Sequence, residues 1–165
     1  MEPDRVGTYV GGEVTNAMTD LTASESPALH CPSRGYLIAA AIAGASAIMI
    51  GAFGAHGLQS YLPETGLDAE TVERRLNQFE TGARYHLAHA IVMLVLAVSS
   101  LTPTRVFQVA FALMIAGIVL FSGSLYVLVL TNTPALGAIT PLGGTSWIVA
   151  WCLIGFCRRP RSGDR

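Results

Sequence analysis

Four long apolar runs, none of which contains Asp, Glu, Lys or Arg, constrain the fold of this chain more than any other feature. They are "YLIAAAIAGASAIMIGAFG", "HLAHAIVMLVLAVSSL", "VFQVAFALMIAGIVLFSGSLYVLVL" and "AITPLGGTSWIVAWCLIGFC". A bilayer core of about 30 Å needs roughly 20 apolar residues in a helix. Three runs reach or nearly reach that length, and the second does so if its helix begins a turn earlier. We therefore predict four transmembrane helices, over about 36–54, 84–101, 106–130 and 138–157.

The overall composition excludes the other folds that could contain such runs. Hydrophobic residues make up 52% of the chain and charged residues only 13%, whereas a typical soluble domain is about a quarter charged. Four buried soluble helices would have almost no polar surface to cover them, and a β-barrel would show alternating polar and apolar residues. The predicted fold class is an all-α integral membrane bundle. The net charge of −1 gives no reason to expect nucleic acid as a partner.

The segments outside the apolar runs predict the topology. Residues 1–35 are polar and lack the apolar region of a cleaved signal peptide, so we expect a disordered cytoplasmic tail. Residues 158–165 form a second, Arg-rich tail. With four spans, seven Arg lie on the side of the two termini and three on the other. The positive-inside rule then places both termini in the cytoplasm.

The connection between the first two spans carries its own helical pattern. Val72, Leu76, Phe79 and Ala83 recur at helical spacing between charged residues, and Asp68 is placed to cap the helix. We expect a short amphipathic helix between helices 1 and 2, lying on the outer membrane surface.

With this topology, the polar residues of the four helices gather in the extracytoplasmic half of the bundle. This polar layer consists of His56, Tyr85, His86, His89, Ser122, Ser124, Tyr126 and Thr140. We expect it to bind a small ligand, a lipid head group or a protein partner. His56, Tyr85 and His89 are the strongest candidates because they converge from separate parts of the chain.

Small residues within the spans are expected to let helix backbones approach each other closely. The predicted packing glycines are Gly44, Gly51, Gly54, Gly117, Gly123, Gly143 and Gly144.

Two alternative functions stay open, although no catalytic motif is present and no cofactor is implied. Three histidines can bind zinc and leave one position open, so a metal-dependent protein built on His56, His86 and His89 is one alternative. A structural role, in which these histidines form hydrogen bonds between helices, is a simpler interpretation than metal binding. A small oligomeric transporter or channel is the other alternative, but the spans contain no carboxylate of the kind that ion-coupled transport needs.

Four motifs in chain order, "GAFGAHGL", "TGARYHLAHA", "FSGSLY" and "LGAITPLGG", carry a resemblance to a known family. The chain resembles the small bacterial membrane family catalogued as domain of unknown function 423, over roughly residues 36–157. The resemblance implies a four-helix inner-membrane protein and brings no activity, substrate or catalytic residue. The expected partner is the lipid bilayer, with a homo-oligomer or another membrane protein left open.

Overall fold

The structure, a computed structural model, describes residues 34–99, 101 and 103–157. Four helices in this part of the chain are long and apolar enough to cross a bilayer: α1 (Arg34–Glu64), α2 (Ala69–Val98), α3 (Arg105–Thr131) and α4 (Pro134–Gly155). The prediction of four spanning helices is confirmed. Apart from Arg34 and Gly35, the two predicted tails lie outside the described residues. We call the end of the bundle that carries the connections 65–68 and 132–133 the loop end, and the opposite end the terminal end.

Two of the helices contain a π-helical stretch, in which the hydrogen bonds span one more residue than in an α-helix. In α1 the stretch is Gly54–Leu58, and in α3 it is Ile118–Gly123. The α-helical segments around them are Arg34–Phe53 and Gln59–Glu64 in α1, Arg105–Gly117 and Ser124–Thr131 in α3. In α4, a 3-10 helix over Pro134–Ala138 precedes the α-helix Thr140–Gly155. π-helical turns are frequent at functional sites, and the α3 stretch borders the site described below.

The amphipathic segment after the first connection is helical, as expected, but it is not a separate helix. Asp68 caps α2 by accepting the Thr71 backbone N–H at 2.9 Å, and this hydrogen bond lowers the pKa of the Asp68 carboxyl. From there α2 continues unbroken through Gly82 into the second span. Gly82 packs closely against Tyr126 of α3, and this contact offsets the roughly 1 kcal/mol that a glycine costs inside a helix.

The apolar face of this segment packs on protein. Phe79 is buried in a cluster with Leu58 and Leu62 of α1 and with Leu128 and Val129 of α3. A second cluster, towards the terminal end, draws on all four helices and contains Ala40, Met93, Leu96, Phe107, Phe111, Met114, Trp147 and Ala150. In chain order each helix packs on the next. Four of the five buried polar residues, His86, His89, Ser122 and Ser124, lie between the two clusters along α2 and α3, and the fifth, Arg75, lies nearer the loop end.

Close helix contacts occur at three of the seven predicted packing glycines. A Cβ on Gly117 would overlap the Trp147 indole, and one on Gly143 would overlap the backbone of Phe121. A Cβ on Gly54 would overlap the Phe79 ring, whereas one on Gly123 or Gly144 would lie 3.9 or 3.8 Å from its nearest neighbour. Gly44 and Gly51 are different, since an added Cβ would meet no described atom of another residue within 4 Å. Their role as packing positions stays a prediction, since the structure gives them no close contact across helices.

Candidate functional site

One imidazole in the interior connects three helices. His86 of α2 is only 4% exposed. Its Nε2 lies 3.5 Å from Ser46 Oγ of α1, and its Nδ1 lies 3.3 Å from Tyr126 Oη of α3. We call Ser46, His86 and Tyr126 the His86 network.

The hydrogen-bond partners of Ser46 set the direction of this network. Its hydroxyl donates to the Ala43 carbonyl at 3.0 Å, so its single proton is used and its oxygen accepts from His86. His86 Nε2 therefore carries the ring proton, and Nδ1 accepts from the Tyr126 hydroxyl. The Nε2–H···Oγ contact of 3.5 Å is longer than the usual 2.7–3.2 Å of an N–H···O bond, and the O–H···Nδ1 contact from Tyr126 is also long, at 3.3 Å. The imidazole is thus held loosely enough for another oxygen to compete for it.

Ser122 lies beside this network, four residues before Tyr126 in α3, so the two side chains share a helix face. Its hydroxyl is fully buried and is the one buried side-chain polar atom in the described part of the chain without a hydrogen bond of good geometry, although the Tyr126 hydroxyl lies near it. Leaving such a group unsatisfied costs about 1–3 kcal/mol. The level of the His86 network is therefore the least well satisfied polar region of the described bundle.

A groove of about 340 Å³ leads from the surface to the His86 network, between α1 and α3. Its lining residues are Ala39, Ile42, Ala43, Ser46, His86, Met93, Ile115, Ile118 and Val119. Ser46 and His86 are the only polar side chains among them. Ile42 and Val119, one on each wall, are 64% and 61% exposed. Because both lie within spanning helices, the groove opens sideways towards lipid.

His89 belongs to a different group of side chains. Its ring stacks on Trp147 of α4, with centroids 3.7 Å apart, and its Nδ1 donates to the Tyr85 carbonyl at 2.8 Å. The Trp147 indole N–H donates to the Met114 carbonyl at 3.2 Å. Tyr85 and Phe121 pack on the same indole. We call Tyr85, His89, Phe121 and Trp147 the aromatic cluster, and its main role is to hold α2, α3 and α4 together.

The remaining polar-layer residues lie apart from both groups. Ser124 and Thr140 join α3 to α4 through hydroxyl oxygens 2.9 Å apart. His56 is exposed on the π-helical stretch of α1, and its side chain makes no hydrogen bond to any residue that the structure describes. The structure therefore does not bring the three histidines together. No group of three His, Cys, Asp or Glu that could hold a metal ion occurs among the described residues.

Three residues with polar side-chain hydrogens, two in these groups and one at the loop end, were not singled out from the sequence. Ser46 is one hydroxyl in a run of Ala and Ile, and Trp147 lies in an apolar run. For both, the available signal was a polar hydrogen inside a span, which must find a partner. The third is Arg75, which was counted only as a charge in a connection.

Arg75 is buried at the loop end, with 5% of its surface exposed. Its Nε and Nη2 donate to Asn132 Oδ1 at 3.0 and 2.6 Å, and Nη1 donates to Gln78 Oε1 at 2.8 Å. Asn132 adopts the left-handed conformation (φ 49°) that ends α3. The C-terminus of a helix carries partial negative charge. The guanidinium is therefore compensated by the end of α3 and ties it to α2.

Comparisons with known proteins agree with the membrane fold. The family model for "Protein of unknown function (DUF423)" matches residues 50–144. The UPF0382 membrane protein YwdK of Bacillus subtilis is 42% identical, over 72% of this chain and 91% of its own length. The UPF0382 inner membrane protein YgdD of Escherichia coli is 34% identical, over 79% of this chain and 95% of its own length. No solved structure matches the chain.

Proposed function

Because the chain belongs to the DUF423 family, a group of membrane proteins of unknown function, we propose its function from the site itself: it binds a neutral, lipid-like molecule in the groove between α1 and α3. The proposed role is binding and not catalysis. The observation that carries the proposal is a loosely bonded polar pair, Ser46 and His86, at the floor of an apolar groove that opens to lipid.

The chemistry of the groove selects the ligand. Its lining contains no Asp, Glu, Lys or Arg, so the part of the ligand inside it is uncharged. The His86 Nε2–H is a donor whose present acceptor, Ser46 Oγ, is 3.5 Å away. An oxygen acceptor at the end of an apolar chain, such as an ester carbonyl, would make a shorter bond to the same proton. The groove volume of about 340 Å³ lies within the roughly 300–1,000 Å³ of small-molecule sites.

The other two histidines in the described part of the chain, His56 and His89, are less suited than His86 to bind a ligand. The His89 ring is covered by Trp147 and its Nδ1 is bonded at 2.8 Å, so this residue serves packing. His56 is exposed, and its side chain makes no hydrogen bond to any residue that the structure describes.

We also infer that the loop end faces away from the cytoplasm. The support is the distribution of the ten basic residues, seven on the side of the termini and three on the other. Reporter fusions at residue 165 test this orientation, and an extracytoplasmic signal there would contradict it.

Photo-crosslinking tests the groove. The full chain is reconstituted with a diacylglycerol, an uncharged lipid with ester carbonyls, that carries a diazirine in one acyl chain, and the labelled residues are mapped by mass spectrometry. We expect saturable labelling of the groove wall around Ile115 and Val119, competed by unlabelled lipid, above the non-saturable labelling of other lipid-facing residues.

Two matched substitutions separate the groove from the general lipid surface. Val119→Trp covers the groove mouth, whereas Val109→Trp places the same ring on an exposed position of α3 outside the groove. Saturable labelling should be lost in the first variant and kept in the second. Labelling of Ile115 that is equal in both variants, or that never saturates in the unmodified protein, would refute the proposal.

A further inference from the structure

A second cavity, of about 520 Å³, lies at the loop end between α2 and the α3–α4 pair. Its wall on α2 is a single polar helix face made of Glu70, Glu73, Arg74, Asn77, Gln78 and Thr81. Its other side is formed by Phe121 and Leu125 of α3 and by Thr140 of α4. We call this cavity the loop-end pocket. It shares no lining residue with the groove between α1 and α3.

The charged side chains of the loop-end pocket form no ion pair with any residue that the structure describes. The one ion pair among the described residues joins Arg84 to Glu80, and both of these residues lie outside the pocket. Glu70 and Glu73 are three residues apart and share a helix face. The Arg74 guanidinium lies beside them and donates one hydrogen bond to Thr71 Oγ1, at 3.0 Å. The pocket thus presents two carboxylates and one guanidinium above an aromatic ring and a leucine.

The loop-end pocket lies at the depth in the membrane at which lipid head groups are expected. Arg84 and Glu80, further along α2, are 70% and 65% exposed at their side chains. Charged side chains are costly in hydrocarbon, so this part of α2 lies at the level of water and lipid head groups. Leu142 is 61% exposed and is two residues from Thr140 of the pocket, so lipid-facing surface begins next to it.

We propose that the loop-end pocket binds the head group of a zwitterionic phospholipid with a primary ammonium group. The ammonium lies between the Glu70 and Glu73 carboxylates, and the phosphate pairs with Arg74, because charge-assisted hydrogen bonds are the strong ones. Phe121, which packs on Tyr85 at the other end of the pocket, contacts the acyl chains of the lipid. Leu125 contacts the apolar carbons next to the phosphate. A phospholipid with a glycerol head group also offers its phosphate to Arg74. It has no cation, however, to pair with the two carboxylates.

Binding of short-chain lipids to the purified full chain in detergent tests this site. Dioctanoyl phosphatidylethanolamine and dioctanoyl phosphatidylglycerol are titrated separately, and the bound fraction is measured by native mass spectrometry. We expect the ethanolamine lipid to bind about tenfold more tightly, the ratio that one additional charge-assisted hydrogen bond supplies. Equal affinity of the two lipids would overturn the proposal. So would phosphoethanolamine without acyl chains binding as tightly as the lipid, because the ligand would then be a soluble ion.

Substitutions of exposed residues assign the preference to this pocket without disturbing the fold. Glu70→Gln with Glu73→Gln should abolish the tenfold preference, whereas Glu64→Gln, an exposed carboxylate outside the pocket, should keep it. Arg74→Gln should weaken the binding of both lipids, because it removes the cation that pairs with the phosphate. Val119→Trp, which covers the separate groove, should leave the preference unchanged. A preference that survives in the Glu70 and Glu73 double variant, or that disappears in the Glu64 variant, would contradict the assignment.

Discussion

The His89 imidazole lies flat on the Trp147 indole, with ring centroids 3.7 Å apart and planes within 5° of each other. His86, three residues earlier on the same helix, instead contacts Ser46 and Tyr126. Two histidines that read alike in the sequence therefore have different surroundings. One is part of an aromatic contact between α2 and α4, and the other is a hydrogen-bonding group at the floor of a lipid-facing groove.

If His89 serves packing, an aromatic ring without the imidazole nitrogens should replace it. We expect His89→Ala to lower the free energy of unfolding in detergent by about 2–3 kcal/mol, through the lost volume and the lost stacking. His89→Phe should cost less than about 1 kcal/mol, because it keeps the stacked ring. Leu87→Ala, at an exposed position of α2, serves as the control. A Phe variant as unstable as the Ala variant would show that the nitrogens matter more than the ring.

The His86 network should show a measurable coupling between its members. We expect a double-mutant cycle of His86→Leu and Tyr126→Phe to give a coupling energy of about 0.6 kcal/mol, the average for hydrogen bonds between membrane helices. Each variant is unfolded in mixed micelles and its free energy of unfolding is compared with that of the unmodified protein. Zero coupling would indicate that the 3.3 Å contact between the two side chains contributes nothing to stability.

Arg75 and Asn132 offer a test in which one substitution is expected to stabilise the protein. Asn132→Gly keeps the left-handed backbone but removes the acceptor, so we expect a loss of about 1.5–3 kcal/mol for the hydrogen bonds to the buried charge. Asn132→Asp places a carboxylate against the guanidinium and should raise the thermal unfolding midpoint at neutral pH. Asn77→Asp, on the exposed side of α2, controls for the added charge. A lower midpoint for Asn132→Asp would show that Arg75 does not need a counter-ion.

The effect of replacing a glycine by alanine on stability should depend on the free space around that glycine. Gly117→Ala and Gly143→Ala push a methyl group into Trp147 and into the Phe121 backbone, so we expect losses of about 1–3 kcal/mol from overpacking. Gly44→Ala should be neutral or stabilising by up to about 1 kcal/mol, because alanine is the better helix former. Thermal unfolding of the three variants in one detergent gives the comparison. A Gly44 variant as unstable as the Gly117 variant would reveal a partner for that face.

The sequence by itself determined the fold class, the number of spanning helices and the family, and it located the polar residues of the bundle. These properties follow from hydropathy, charge and motifs, which are read locally along the chain and do not depend on how the helices meet. The N-cap at Asp68 belongs with them, because a cap acts within one turn of its own helix.

Only the tertiary structure decided which polar atoms meet. His86 and His89 are three residues apart, so a rotation of α2 by about 60° would turn one of them towards the helices that the other faces. That rotation is set by close contacts that no local pattern specifies, such as Gly82 against Tyr126 and Gly117 against Trp147. The packing of α1 on α2 places Ser46 beside His86 and leaves His56 exposed. The site therefore depends on helix rotation and spacing, which are fixed by packing between residues far apart in the sequence.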